Sequence, residues 1–365
     1  FYNCKYFIGL CYGFWCLVFF SKLHKAKLCQ VNRYNVTKEP CQGGLSMIPD
    51  STGSFSFREG FRKVISCDFC GNKKFFDIAV RADGMQVLEC ARCGLAFLAQ
   101  LPDHDYLSSL YEESYFKKED KAKIGYQDYG WTNISEIQSI FGFIIDILSK
   151  HTNLEGKRFL EVGCATGELL FLARQAGAII TGVEGSKWAS EVAKQRFGLD
   201  IINTTLEEAE LEPASFDVVV ALEVIEHTVS PSMFMEKLIS LVCPGGLVIL
   251  STPNYRMAKI YGESWLGFQM SFEHLYFFSD EFLMRLGLNF GLLPVEWYSH
   301  GSGIMQSEPA KLTMELRRTI KKIPGAQTAY KFVKSFRCAK DLVGNSWERF
   351  GQGHRVLVVF RKKTF

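Results

Sequence analysis

Glu161-Val162-Gly163-Cys164-Ala165-Thr166-Gly167 lies between the apolar run Arg158–Val162 and the helical run Glu168–Ala176. A glycine-bearing turn between a strand and a helix lets a ligand approach the backbone closely. The turn lacks the third glycine of a dinucleotide loop, and a carboxylate, Glu161, stands beside it. That charge disfavours a phosphate and favours a cationic ligand with an amino group. A second acid, Glu184, follows the next apolar run, Ile179–Val183, where it can accept hydrogen bonds from two ribose hydroxyls. The ligand implied is a nucleoside with a cationic tail and no pyrophosphate. S-adenosylmethionine fits that chemistry and NAD does not.

The chain downstream keeps alternating. Helix Lys187–Phe197, a weak strand Asp200–Ile202, strand Phe216–Leu222, helix Pro231–Leu241, the turn Pro244-Gly245-Gly246 and strand Leu247–Ser251 follow one another. Such alternation predicts an α/β fold with a doubly wound, mainly parallel sheet. Ligands of such sheets bind beyond the carboxyl ends of the strands, where Glu161, Gly163, Glu184 and Glu223 fall.

Upstream, Cys67-Asp68-Phe69-Cys70 and Cys90-Ala91-Arg92-Cys93 are separated by nineteen residues, and each pair precedes a glycine, Gly71 or Gly94. Two knuckles at this spacing close a tetrahedral four-thiolate zinc site. Four protein ligands leave no open position, so the metal is expected to be structural; a dithiol redox pair is the alternative. Lys74–Arg81 and Met85–Glu89 read as strands around a turn at Ala82-Asp83-Gly84. Residues 60–100 thus form a small zinc ribbon. Residues 101–152 link it to the main domain, with Tyr106, Tyr111, Tyr115, Tyr126 and Tyr129 ahead of a helix from Asn133 to Lys150. The tyrosines could cover a ligand or pack on the ribbon.

Of the 365 residues, 47% are apolar and 22% charged, which excludes a mostly disordered chain. A net charge of +3 is too small to argue for nucleic acid by itself. The twelve cysteines form no secreted framework, so a reducing, cytoplasmic setting is expected. Residues 1–46 hold an uncharged stretch, Tyr6 to Ser21, followed by Lys22, Lys25, Lys27 and Arg33. They read either as a signal anchor or as a non-native leader ahead of Met47.

Glu161-Val162-Gly163-x-x-x-Gly167, Val183-Glu184, Phe216-Asp217-Val218-Val219, Glu226-His227, Pro244-Gly245-Gly246 and Thr252-Pro253-Asn254 resemble, in order, the motifs of class I S-adenosylmethionine-dependent methyltransferases. The ribbon, with Gly94-Leu95-Ala96-Phe97 and Tyr111-Glu112-Glu113-Ser114-Tyr115-Phe116, resembles the N-terminal zinc-binding region of bacterial methyltransferases of glycan and small-molecule pathways. His274-Leu275-Tyr276-Phe277-Phe278-Ser279 resembles the segment such enzymes carry after strand five. The resemblance implies a Rossmann-like, seven-stranded sheet over 153–365, closed by an antiparallel hairpin of Leu293–Ser299 and Arg355–Arg361. It implies Glu161, Gly163 and Gly167 around the methionine part, Glu184 on the ribose and the adenine near Thr205-Leu206-Glu207. Cys164, Gly185, Leu206 and Glu223 complete the expected cofactor shell. The usual Asp of the adenine loop is missing from this chain.

Methyl transfer needs alignment of nucleophile, methyl and sulfur, plus a base where the acceptor must lose a proton. His227 is the expected base, with Glu226 and His274 beside it; a histidine capping the next turn is the bland alternative. Glu223, Glu226, His227 and His274 also resemble the metal-assisted sites of small-RNA 2′-hydroxyl methyltransferases and ubiquinone-pathway O-methyltransferases. A catalytic divalent ion is therefore an alternative to the preferred metal-free site. The expected acceptor is a small molecule or a glycan or lipid-linked species, with O-methylation favoured. Between the hairpin strands, an insertion at 308–350 carries, over residues 310–349, ten Lys/Arg against three acids. Such a segment suits an anionic membrane surface or, as a second reading, RNA. A non-catalytic binding subunit is disfavoured by the intact Glu161, Glu184 and His227.

Overall fold

Short runs of Val, Ile and Leu become central strands when helices cover both faces of a sheet. The computed structural model describes residues 60–103, 106–107, 110–111, 113–116, 133–269, 271–300, 347–349 and 353–364. The leader at 1–46 and the basic insertion up to residue 346 lie outside the described residues.

The main sheet contains β6 (Arg158–Val162), β7 (Ile179–Val183), β8 (Ile201–Ile202), β9 (Phe216–Leu222), β10 (Val242–Pro253), β12 (Leu292–His300), β13 (Trp347–Arg349) and β14 (Arg355–Lys362). Its order is β13-β12-β14-β10-β9-β6-β7-β8. Strands β8, β7, β6, β9 and β10 run parallel, and β14 lies antiparallel between β10 and β12. The expected seven strands are all present. An eighth, β13, pairs with β12 through Tyr298↔Arg349 and His300↔Trp347. Its three residues carry no long apolar run, so no periodicity announces it.

Successive side chains of these strands go to opposite faces. Leu160, Val162, Val219, Ala221, Val248, Leu250 and Val358 join one core. Phe159, Val218, Val220, Leu247, Ile249, Leu357 and Val359 join the other. Helix Ile134–His151 starts on Asn133, whose side chain accepts from the Ser135 N–H, and buries Ile144, Ile147 and Leu148 in the second core. No described helix is long and apolar enough to cross a membrane.

The N-terminal sheet contains the two expected strands, β2 (Phe75–Val80) and β3 (Gln86–Cys90), and two that were not, β4 (Ala96–Leu98) and, from far downstream, β11 (Tyr276–Phe277), in the order β11-β4-β3-β2. Tyr276 pairs with Phe97 and Phe277 with Ala96. The ribbon therefore shares its sheet and the first core with the segment that carries His274. A two-stranded pair, β1 (Phe61–Lys63) with β5 (Gln100–Pro102), flanks it.

Candidate functional site: a crevice at the strand ends, with a four-cysteine knuckle behind it

β6 lies between β7 and β9, the point where the strand order turns, and its end is level with both: Val162 pairs with Val183 and with Ala221. The loops leaving β6, β7 and β9 therefore open on one crevice. The loop after β6 is tied to β7 by Gly163 N–H, which donates to Val183 O at 2.8 Å. Gly163 has φ +67°, and a Cβ there would meet Val224 Cγ2 at 2.5 Å. Gly167 has φ +86°, and a Cβ would meet Leu199 at 2.6 Å. Both glycines are thus required by the packing of the loops themselves. Their absent side chains let the β6 loop sit against Val224 and the helix Lys187–Phe197.

Glu161 is buried, at 5% exposure, and its Oε2 has no hydrogen-bond partner among the described residues. Burial, then the nearby charges of Glu168 and Glu184, push its carboxyl well above the usual range, against the Leu170 N–H. A buried oxygen without a donor costs about 1–3 kcal/mol, so a ligand ammonium would relieve a standing penalty. Glu168 itself is satisfied, by the Thr166 hydroxyl and by Arg196 at 2.7 Å. Glu184 Oε2 accepts from the Ala165 N–H at 2.9 Å and Oε1 from the Ser186 N–H at 2.8 Å. Each oxygen keeps a lone pair for a hydroxyl. Burial raises this carboxyl too, against those N–H groups. Asn203, which the sequence reading missed, donates to the carbonyls of Glu184 and Gly185 and fixes that turn. Gly185 is exposed, with open space around its Cα.

Three of the expected cofactor contacts point elsewhere. The Cys164 side chain is buried in the second core, and burial holds its thiol well above its ordinary pKa. Leu206 is packed in the first core, so its own side chain is turned away from the crevice. Glu223, at φ +55°, accepts from Ser251 Oγ at 2.8 Å and pairs with Arg355 at 3.3 Å.

Just beyond Glu223, a short 3₁₀ turn, Ile225–His227, brings Glu226 and His227 together with His274. One potential ligand atom from each lies within 4.8 Å of the others. Glu226 is fully buried, and neither carboxylate oxygen has a hydrogen-bond partner among the described residues. Burial and Glu223 push its carboxyl well above the usual range. His227 Nδ1 lies 2.9 Å from the Tyr111 hydroxyl, and its ring centroid is 4.7 Å from that of His274. Burial holds His227 down to about 4, against the Glu273 carbonyl, and holds His274 well below its ordinary value, helped by His227 and Arg81. Both imidazoles are therefore neutral at pH 7, available to take a proton or bind a metal. Because the unfolded His227 titrates near 6.5, wild type should lose stability relative to His227→Ala as pH falls from 6.5 towards 4. Denaturant unfolding at a series of pH values, without added divalent ions, reads that difference; parallel curves would refute it.

Of the tyrosine stretch, Tyr106, Tyr111 and Tyr115 are placed, while Tyr126 and Tyr129 lie outside the described residues. Tyr111 and Tyr115 reach His227 and Glu273, while Phe116 stacks on Trp188 just after Glu184. Tyr106 packs edge-on against Phe61 of β1.

The four cysteines stand apart from this chemistry. Cys67 and Cys93 Sγ are 3.5 Å apart, as are Cys70 and Cys90, and all four sulfurs lie within 4.8 Å. A tetrahedron with zinc–sulfur bonds of about 2.3 Å has edges of about 3.8 Å, so the donor set fits zinc. Gly71 N–H donates to Cys67 O and Gly94 N–H to Cys90 O, both at 2.9 Å, closing two equivalent knuckles. Against burial, the Cys93 and Arg92 N–H groups pull the Cys90 thiol down to about 6.

Residues 137–296 match the family model described as a methyltransferase domain. The order of β6–β10, β12 and β14, with β14 antiparallel, is that of the class I methyltransferase fold, and this domain has it. The mitochondrial ubiquinone biosynthesis O-methyltransferase of Schizosaccharomyces pombe is 36% identical over 117 residues, 30% of this chain and 43% of that protein. The ubiquinone biosynthesis O-methyltransferase of Neisseria meningitidis is 35% identical over 118 residues, 30% of this chain and 50% of that protein. The chain thus spans about half the length of these relatives. Among solved structures, the magnesium protoporphyrin IX methyltransferase of Synechocystis overlaps 70% of this chain and 97% of its own, at 14% identity and a TM-score of 0.41.

Proposed function

We propose that this protein is an enzyme that transfers a methyl group from S-adenosylmethionine to a hydroxyl of a small-molecule acceptor. The observation that carries the reading is the shared crevice: Glu161 and Glu184 at the ends of β6 and β7, and neutral His227 at the end of β9. In this reading Glu161 receives the ammonium of the cofactor and Glu184 its ribose hydroxyls. His227, held by Tyr111, takes the acceptor proton while cofactor and acceptor are aligned. Similarity to ubiquinone biosynthesis O-methyltransferases favours oxygen as the accepting atom and a small molecule over RNA. Residues 310–349 would supply contact with an anionic membrane surface where the acceptor is lipid-linked.

A second reading of the same cluster is favoured by Glu226, whose buried oxygens have no hydrogen-bond partner among the described residues. Glu226, His227 and His274 would hold a divalent cation, which would lower the pKa of the acceptor hydroxyl.

Calorimetry tests the cofactor half. Glu184→Ala should weaken S-adenosylmethionine binding by about 1–3 kcal/mol, the loss of a pair of hydrogen bonds. Glu184→Gln, which keeps one carbonyl oxygen as acceptor, should fall between it and wild type. Undiminished affinity in Glu184→Ala would refute the assignment. The acceptor half is tested by following labelled methyl groups from the cofactor into fractionated extracts. Label entering RNA in place of small molecules would overturn it.

A further inference from the structure

The ribbon reaches the acceptor side of the crevice at two points. Arg81, in the turn between β2 and β3, is buried at 3% exposure. Its Nε and Nη2 donate to the two carboxylate oxygens of Asp83, at 3.0 and 2.6 Å. The remaining N–H groups face the loop that carries His274: Nη1 donates to His274 O at 2.8 Å and Ser271 O at 3.4 Å, and Nη2 to Phe272 O at 2.9 Å. All five guanidinium donors are thus spent, which a lysine ammonium could not reproduce.

The second point is Asp68, inside the first cysteine pair. Helix Pro231–Leu241 follows the turn that holds His227, and its N-cap Ser230 makes no side-chain cap of its own. Asp68 supplies it, accepting from the Ser232 N–H at 2.7 Å and from Ser230 Oγ at 2.9 Å. Between the two points, Leu98 N–H of β4 donates to Leu275 O, and Leu275 N–H donates to Glu226 O at 2.8 Å.

We propose that the four-cysteine module sets the geometry of the acceptor-side cluster, with Arg81 and Asp68 as positioning residues that hold His274 and His227 against Glu226. The proposal rests on the reading of that cluster as the methyl-accepting side. In its terms the zinc knuckle is a strut of the reaction site, felt at the imidazoles more than at the cofactor loop, which is hydrogen-bonded to β7 and, apart from its packing on Val224, rests on the helix Lys187–Phe197.

The test uses the full, zinc-loaded chain with nitrogen-15-labelled histidine. The imidazole signals of His227 and His274 are assigned from His227→Gln and His274→Gln and read at one fixed pH. Arg81→Gln should displace the His274 signals, with no rescue by Arg81→Lys, and Asp68→Ala should displace those of His227. Zinc should stay at one per chain, and S-adenosylmethionine affinity within about two-fold, as for sites that do not share partners. Unmoved imidazole signals in folded Arg81→Gln and Asp68→Ala would overturn the proposal. So would cofactor affinity falling together with the imidazole changes, since the effect would then be a general loosening of the fold. If Arg81→Gln does not fold, Asp68→Ala, at a half-buried position, decides the matter. Failure of wild type to bind S-adenosylmethionine would count against methyl transfer, while the imidazole signals would still judge the strut.

Discussion

Cys90→Ser should purify without zinc and lose the ordered ribbon, whereas wild type should carry one tightly held ion. Binding of structural zinc is worth about 10–16 kcal/mol in small zinc folds, more than the whole stability of most domains. Cys90 is the last residue of β3, so its loss breaks the knuckle and the strand beside it. The damage should spread, because β11 hangs on β4 and because Cys67, Val87 and Phe97 share a core with Tyr276 and Phe278. Metal analysis with thermal unfolding measures both effects. Equal zinc in wild type and variant, or none in either, would mean that the four thiols serve another purpose.

The second large effect belongs to the acceptor side. With an acceptor in hand, His227→Ala should lower the rate of methyl transfer by about 10²–10⁴-fold, the range of a positioned acid or base. Affinity for S-adenosylmethionine should change little, since His227 bonds to Tyr111 and neighbours His274 and is given no part in holding the cofactor. Glu226→Ala separates the two readings of the cluster. If activity disappears on chelation and returns with magnesium or manganese, and His274→Ala is also inactive, the ion reading holds and the metal-free one fails. Full activity in His227→Ala would remove both.

Local signals account for what the sequence made legible. Strand Phe216–Leu222 and helices Lys187–Phe197 and Pro231–Leu241 run between the residues expected, because each is bounded by its own cap or turn. Ser186 accepts from the Ala189 N–H, Gly198 ends that helix with φ +62°, and Pro231 opens the other. The four cysteines stood out by spacing, Glu161 and Glu184 by their place at strand ends, and the Glu226–His227 pair by resemblance, and the structure brings the four sulfurs together and sets His274 beside that pair. β10 was read as Leu247–Ser251 but extends over Val242–Pro253, because Val242 already pairs with Phe216 before the glycine turn interrupts the ladder. That pairing is not local. Nor is the tie between Arg81 and His274, or the cap that Asp68 places on a helix more than a hundred residues away. The side chains of Cys164 and Leu206 lie in the two cores for a related reason: a motif fixes the loop, whereas its neighbours decide whether a side chain faces the crevice or the core. Glu223 looked like a partner of Glu226 until Arg355 and Ser251 were seen to hold it.

The fourth strand of the ribbon sheet also orders events during synthesis. β2, β3, β4 and all four cysteines leave the ribosome well before Tyr276 and Phe277 exist, so the knuckles can capture their ion while the sheet edge on β4 is still bare. Pairing across that sequence separation carries a loop-closure cost that local contacts do not, and it must wait for β6 to β10 to be made. Until then Ala96 and Phe97 present unpaired backbone, a template for strands of other nascent chains. A zinc ion captured that early would fix the knuckles but leave the β4 edge open to misassociation until β11 arrives, so zinc supply during translation would bear on the ribbon alone and not on that edge.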